Sequence, residues 1–564
     1  MRTAASLPPG GLPLVTGAQA GEADGAAVAA GDTWDGLLAR AGGGLARTVL
    51  EVLRHRTGGV YGRRVLVAVG KGDNGGDGWV CADRLRARGV AVTVLAPHGV
   101  EVETSEHTRR ARAHWLATGG RVETDAEAYA DRWPRLARHE LPDVAVDCLL
   151  GTGATGAPRS AVAPAVQVLR ALRRARVGIV ACDVPSGVEA DTGRVADPDL
   201  AVVADRTVTF GAAKRGLVLD PGREHAGDVE VVDLGPRWSL PDEPFGRPRK
   251  DGAWFATGDG VAAPRPWASS DDKRARGRVL VLAGSARFGG AAALCGRAAL
   301  RTGAGLVTVA TSGPTAAVLA EPALMVRGLA AADDEVGGPA VGAVGAVVEA
   351  LADTTAAVVG PGLGHEPTTR DVVEAVLGAS PQGPDERAVV LDADGLNVFR
   401  HDVEGLAGAV ARGVRLVLTP HERELARLLD AEVPSTACGR VELARQLVDR
   451  TGAVVVAKGP ATVVVGPDAP TFVATSGGPA LGTGGSGDVL AGMLGAVLAR
   501  DRSRGSDTVQ QAAGTVHLHG LVGEAAGARS AGRSTATDLL DVLPDVLVDL
   551  AARRDAGRWR WSGT

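Results

Sequence analysis

Short apolar runs rich in valine and alanine alternate with amphipathic stretches through most of the chain. In the first half the runs are 64–69, 90–96, 144–150, 177–182, 207–211 and 229–235. Helical periodicity fills 33–57, the stretch to about Arg88, and 161–174. Unbroken apolar runs separated by helices predict a parallel sheet covered on both faces. Residues 1–32 are rich in Gly, Ala and Pro and lack this rhythm, so the start reads as frayed. Between Pro236 and Pro266 four further prolines interrupt any period, as expected of a linker and an irregular entry segment. A second series has strands at 278–284, 305–311, 356–360, 388–394, 415–420, 453–459 and 462–466. A glycine cluster at 482–488 then opens an apolar helix to about Ala499. The expected organisation is a three-layer α/β domain over 1–235, a linker at 236–249, and a second α/β domain over 250–564.

Composition narrows the class. The chain has 564 residues, 45% apolar and 23% charged, which suits two or three α/β domains and excludes a mostly disordered chain. With 61 basic against 66 acidic residues the net charge is -5, so no global positive field gathers nucleic acid. No charge-free apolar run reaches about 18 residues, so no membrane span is expected. Proline and glycine break any signal-peptide core near the start. Cys81, Cys148, Cys182, Cys295 and Cys438 form no CxxC pair. That spacing argues for a reducing, cytoplasmic setting and against a zinc site. Aromatics are only 3% and glycines number 79, so valine and alanine must build the core and backbone-rich loops are expected.

Three segments, 70–75, 151–156 and 482–487, match G-x-G-x-x-G. The first follows a strand and opens a helix, so a Rossmann-like dinucleotide domain must be considered. An ordinary member needs an acid at the end of the next strand to hold ribose, and here that strand ends in Leu95, Ala96 and Pro97. No G-x-x-x-x-G-K-[ST] occurs, which excludes a P-loop NTPase. Position is more informative than the pattern. GKGDNGGDG, DCLLGTGATG and DVPSG each close a parallel strand, where open α/β sheets bind ligands. They gather Asn74, Asp77, Asp147, Thr152, Asp183 and Ser186, hard oxygen ligands suited to an alkali or alkaline-earth cation. Taken singly, each of these residues also reads as a turn or cap.

These three loops resemble the NAD(P)HX epimerase family over residues 30–235. That family interconverts the R and S forms of NAD(P)H that has taken up water across a nicotinamide double bond. The resemblance implies that Asp73, Asn74, Gly75, Gly76 and Asp77 hold the hydrated dinucleotide. Gly151, Thr152, Gly153, Ala154, Thr155, Gly156 and Ala157 would share that task. It implies potassium on Asn74, Asp147 and Ser186, and Asp183 as a substrate contact and acid/base. Lys214 resembles a recurrent lysine whose role stays open. Asp73 stands where the family usually has Asn; the carboxylate either turns outward or weakens this half, since it would repel a pyrophosphate.

In the second half, GTGGSGD sets backbone N–H groups at a helix start and ends in Asp488. The N–H groups suit an anion, and the carboxylate beside them suits a base toward an attacking hydroxyl. A helix-capping aspartate is the plainer reading. With GPGLG (360–364), VLDADGLN (390–397), TPHERE (419–424) and KGPATVVV (458–465), this half resembles the ADP- or ATP-dependent NAD(P)HX dehydratase family over 250–555. That resemblance implies a ribokinase-like fold, with Mg2+ and ADP or ATP as co-substrate. Gly364, His421 and Asp488 would meet the hydrated nucleotide. Lys458, Gly459, Pro460, Ala461, Thr462 and Gly487 would bind the phosphate donor. Two departures stand out: Asp272, Lys273 and Arg274 replace a usual His-Lys-Gly, and Arg423 replaces a glycine. His517 and His519 lie two apart in a late helix and read as structural or surface residues.

The expectation is a bifunctional repair enzyme, cytoplasmic and homo-oligomeric, acting on hydrated NAD(P)H with no nucleic-acid or membrane partner. The competing expectation is a ribokinase-like kinase for a small alcohol of the hydroxymethylpyrimidine type. In a further alternative the first half is a non-catalytic binding or assembly module.

Overall fold

The apolar runs of the first half become strands stacked side by side. In chain order this half contains β1 (Leu12–Val15), α1 (Gly17–Ala29), α2 (Trp34–Thr57), β2 (Arg64–Val69) and α3 (Asp73–Arg86). There follow β3 (Ala91–Leu95), α4 (Glu106–Ala117), β4 (Arg121–Glu123), β5 (Val144–Cys148) and α5 (Val162–Arg174). It closes with β6 (Gly178–Cys182), β7 (Arg206–Phe210), β8 (Ala213–Lys214) and β9 (Asp228–Val232). The computed structural model describes residues 11–132, 141–240, 253–258, 271–313, 321–331, 337–340, 342–364, 366–379, 387–500 and 506–555. The chain divides into two compact units, Pro13–Gly246 and Arg247–Trp559. Most of the expected linker, 241–249, lies outside the described residues.

In the first unit seven strands run in the order β4-β3-β2-β5-β6-β7-β9, and every pairing is parallel. Successive side chains of a strand point to opposite faces, and here both faces are apolar. Val65, Val67, Val144, Val146 and Val180 face a core shared with α2 and α3. Leu66, Ala68, Ala145, Ile179 and Ala181 face another shared with α5. The strand order reverses between β2 and β5, the switch point where α/β sheets open a ligand crevice. Two glycines let the loops meet there. A Cβ on Gly70 would sit 1.8 Å from the Leu149 carbonyl oxygen, and one on Gly75 2.1 Å from the Gly70 carbonyl oxygen.

The frayed start expected for residues 1–32 needs correction over 12–29. β1 pairs with β8 through Leu14–Ala213 and Val15–Lys214. α1 follows, its Thr16 and Gln19 forming a capping box, which satisfies two orphan N–H groups. Its buried residues are Ala20, Ala23 and Ala27. A stripe of alanines gives no bulky apolar period, so helical patterning did not reveal it.

The second unit contains β10 (Trp254–Ala256), β11 (Arg278–Leu282), α6 (Gly289–Thr302), β12 (Leu306–Thr311) and β13 (Met325–Gly328). Then come β14 (Ala356–Val359), β15 (Ala388–Leu391), β16 (Arg415–Leu418), α7 (Glu422–Leu429), α8 (Ala437–Thr451) and β17 (Val454–Ala457). β18 (Val463–Val465), β19 (Thr471–Val473), α9 (Ser486–Arg500), α10 (Ser506–Ser530) and α11 (Ala536–Asp555) follow, with further helices at Ala343–Leu351, Pro367–Gly378, Asp394–Asn397 and Glu404–Ala411. Its strands run β13-β12-β11-β14-β15-β16-β17-β18-β19-β10. Among the described strands only β18 is antiparallel to its neighbours. α9 is clamped between sheet and helix because it lacks side chains where it must come close. A Cβ on Gly492 would lie 2.2 Å from the Cys295 carbonyl oxygen of α6, and one on Gly495 2.4 Å from Val358 of β14.

Candidate active sites

In the first unit, α3 starts at the switch point with Gly72 as a cap that offers no side chain. Its first N–H groups are therefore open to an anion. Asp73, the first helical residue, turns away to the start of α4. Its Oδ1 accepts from Ser105 at 2.5 Å and Thr108 at 3.3 Å, and lies 2.8 Å from His107 Nε2. Of the two sequence alternatives for Asp73, the geometry is the outward one.

Asn74 turns the other way. Its Nδ2 donates to the Leu150 carbonyl at 2.8 Å, and Gly151 leaves room for it. The Leu150 N–H donates to Ser186 Oγ at 3.0 Å. That hydroxyl donates to Asp147 Oδ1 at 2.7 Å, while the Ser186 N–H donates to Oδ2 at 2.8 Å. Burial raises the pKa of Asp147 to about 6 against the pull of these Ser186 bonds. Asn74 Oδ1 is buried and accepts no hydrogen bond from the described residues. An orphaned amide oxygen, linked through Leu150 to a hydroxyl and a carboxylate, fits a hard cation such as potassium.

Asp183 directly follows β6 with a φ of 62°, a left-handed conformation that aspartate tolerates better than most residues. Its Oδ1 takes Lys214 Nζ at 2.5 Å, Thr209 Oγ1 at 2.8 Å and the Phe210 N–H at 3.4 Å. Its Oδ2 accepts none among the described residues. Lys214 is only 2% exposed and also donates to the Phe210 carbonyl at 3.1 Å. Two more carboxyls face this pair. Asp77 is buried, and burial together with Asp183, Asp73 and Asp24 pushes its pKa well up, opposed by Lys214. Asp24, on α1, is raised by burial against a bond from Trp238 Nε1 at 2.7 Å. The segment 151–157 borders α1: a Cβ on Gly17 would lie 2.9 Å from Thr152.

The second site gathers at the carboxyl ends of β15, β16 and β17 and the start of α9. Lys458 Nζ donates to Asp392 Oδ1 at 2.6 Å, and Thr419 donates to the same oxygen at 2.7 Å. Burial alone would lower the Lys458 pKa, but Asp392, Glu424 and Asp488 outweigh it and raise it. A Cβ on Gly487 would sit 3.5 Å from Lys458 Nζ and 3.8 Å from Asp392 Oδ2, so the glycine loop closes over this ion pair. Asp488 lies beside it in the first turn of α9. Burial raises its pKa to about 7, with Asp392 and Asp394 adding to the shift and Lys458 opposing it. A carboxyl half ionised at neutral pH suits general-base work.

His421 caps α7, its Nδ1 accepting from the Arg423 and Glu424 N–H groups at 3.1 and 3.3 Å. The imidazole proton therefore sits on Nε2, 3.4 Å from Glu424. Burial and then Lys458 lower its pKa, which favours that neutral form. Arg423 is exposed, so its replacement of glycine leaves the cap intact. The Gly364 N–H donates to Asp394 at 2.8 Å. The 459–462 turn is held by Thr462 and Gly459, which bond each other at 3.0 Å. Arg440 of α8 supports it from below: Nη2 donates to the Ala461 carbonyl at 2.9 Å and Nη1 pairs with Glu422. His517 and His519 are buried. His517 lies 3.0 Å from both Ser476 and Thr257. His519 lies 3.3 Å from Ser486, its pKa pushed down to about 4 by burial.

Sequence reasoning missed Asp24, Asp392, Asp394, Thr419, Glu424 and Arg440 as members of these sites. The D-x-D ending β15 was the available signal for Asp392 and Asp394. Nothing local marks Arg440 or Asp24.

Fold and sites define a two-unit α/β enzyme with separate ionisable centres on two doubly wound sheets. The family model described as NAD(P)H-hydrate dehydratase matches residues 279–545, and that described as YjeF-related protein N-terminus matches 35–216. The chain is 35% identical over 506 residues to the bifunctional NAD(P)H-hydrate repair enzyme Nnr of Moorella thermoacetica, covering 89% of this chain and 91% of that protein. The enzyme of the same name from Escherichia coli is 33% identical over 86% of this chain and 85% of its own. Among solved structures, an ADP/ATP-dependent NAD(P)H-hydrate dehydratase from Bacillus subtilis, co-crystallised with ATP/Mg2+, is 26% identical. It covers 52% of this chain and 97% of its own, with a TM-score of 0.44. The chain belongs to the bifunctional NAD(P)H-hydrate repair enzyme family.

Proposed function

We propose that the first unit epimerises the R and S hydrates of NADH and NADPH, and that the second uses ADP or ATP to dehydrate the S form. The carrying observation is likeness to one relative, named for bifunctional repair, across 89% of the chain. In the first unit the N–H groups opening α3 and the 151–157 segment hold the dinucleotide. Asp183 is the acid/base. With Oδ1 saturated by Lys214, Thr209 and Phe210, the Asp183–Lys214 pair passes a proton held on the Lys214 ammonium to the departing hydroxyl. It takes one back from the water that adds on the opposite face. Asn74, Asp147 and Ser186 would hold potassium, whose charge steadies these loops and the dinucleotide phosphates.

In the second unit the loop before α9 and the turn from Lys458 to Thr462 bind the phosphate donor. Asp392 would face Mg2+ carried on its phosphates, which needs only one or two protein carboxylates. Gly364 and His421 position the hydrate. Asp488 takes its hydroxyl proton as the terminal phosphoryl group of ADP or ATP is transferred. Elimination of phosphate then restores the ring double bond. We place the protein in the cytoplasm, as its five free cysteines support, and expect a homo-oligomer, which sedimentation measures. No helix among the described residues is long and apolar enough to cross a membrane.

The test is a mixture of both hydrate epimers with and without ADP. NADH absorbance should appear only with ADP and account for both epimers. Conversion stopping at one epimer sinks the first assignment, and release of a stable phosphoester sinks the second.

A further inference from the structure

The crevice edge where a Rossmann domain anchors its adenosine ribose lies at the end of the strand after the glycine loop. In this chain that strand, β3, is followed by Ala96 and Pro97, and no acid is present. The structure sets cations there instead. A cleft between the ends of β2 and β3 and the flank of α4 is lined by Lys71, His98, Thr104, Thr108 and Arg112. Lys71 and His98 hydrogen-bond to no described residue, and neither joins an ion pair among them. Arg112 is anchored by Nη1 alone, on the Val102 carbonyl at 2.8 Å. Thr104 Oγ1 is buried and has no partner among the described residues. Burial, and then Lys71, hold the His98 pKa below its ordinary value, so these groups share one field. Asp73, the acid in the first turn of α3, is engaged by Ser105, His107 and Thr108. Unpaired cations around an unsatisfied buried hydroxyl are what a phosphate monoester would complete.

We propose that this cleft binds the ribose 2′-phosphate of hydrated NADPH, so that the first unit prefers the phosphorylated dinucleotide. The inference rests on the first unit binding a hydrated dinucleotide with its pyrophosphate at the start of α3. The neighbouring ribose then falls at the end of β3, as in dinucleotide-binding sheets.

The experiment uses the full chain and the double variant Lys71→Ala/Arg112→Ala. Calorimetry compares 2′,5′-ADP with 5′-AMP as probes, and kinetics compares the epimerisation of hydrated NADPH and hydrated NADH. The proposal expects 2′,5′-ADP to bind about tenfold or more tightly than 5′-AMP, with that advantage lost in the variant. KM for hydrated NADPH should rise about tenfold while KM for hydrated NADH and both kcat values hold. Equal binding of the two probes to the wild-type chain, or equal KM changes for both substrates, overturns it. If neither substrate is epimerised but the probe preference exists and is lost in the variant, the cleft stands and the epimerase assignment falls.

Discussion

Replacing Asp488 by asparagine keeps its size and its place in the first turn of α9 but removes the base. The Asp488 carboxyl titrates at about 7 in the fold against 3.8 when free. Two effects follow, with opposite signs. General-base assistance contributes about 10²–10⁴-fold, so Asp488→Asn should lose ADP-dependent NADH formation by at least about 10²-fold. In the wild type the ionised form acts, so the rate should fall about tenfold per pH unit below about pH 7. Stability moves the other way. A carboxyl whose folded pKa is raised is held protonated by the fold, so wild-type stability declines as pH rises from about 4 to about 7. Ionising this carboxyl inside the fold rather than in water costs about 4 kcal/mol. Asparagine carries no such cost, so the variant should be more stable than wild type by up to about 4 kcal/mol above pH 7. The gain should vanish below about pH 4. Stopped-assay kinetics with ADP and urea unfolding at pH 8 and pH 4 measure both. Nucleotide binding and epimerisation should survive. Near-wild-type dehydration in the variant, or a loss of stability at pH 8, would refute the assignment of a buried, raised-pKa base.

Three further outcomes are expected. Lys214→Met strands the Asp183 carboxylate, and breaking a buried pair typically costs about 3–5 kcal/mol; urea unfolding should detect this together with loss of epimerisation, and an unchanged midpoint would show that the pair contributes little. Potassium should raise the thermal midpoint of the wild-type chain more than lithium does, and Asn74→Ala should erase that difference because the orphaned Oδ1 is gone; a difference that persists would move the cation elsewhere. Asp73→Asn should leave KM for hydrated NADH within about twofold, because its carboxylate faces Ser105, His107 and Thr108; a tenfold tightening would place that carboxylate against the dinucleotide.

The chain's local pattern determined the two α/β series and the position of each glycine loop. Strands such as RVLVAV and GIVAC are near-continuous apolar runs because both faces are buried, and such runs are visible in a short window. Asp488 was legible for the same reason: the loop, the helix start and the carboxylate are contiguous. The pairings that make these residues chemically useful were not. Lys214 meets Asp183 across 31 positions, Lys458 meets Asp392 across 66, and Asn74 meets Leu150 across 76. Only the stacking of parallel strands, which brings their carboxyl ends to one edge, sets those distances. α1 escaped notice because alanines pack without a bulky period, yet it delivers Asp24 toward Asp77 and Lys214. The outward turn of Asp73 was likewise decided by α4, whose Ser105 and His107 outcompete the loop for that carboxylate. Identity and order of residues set which groups are available; burial and the fields of distant neighbours, which exist only once the sheets close, set how each one titrates.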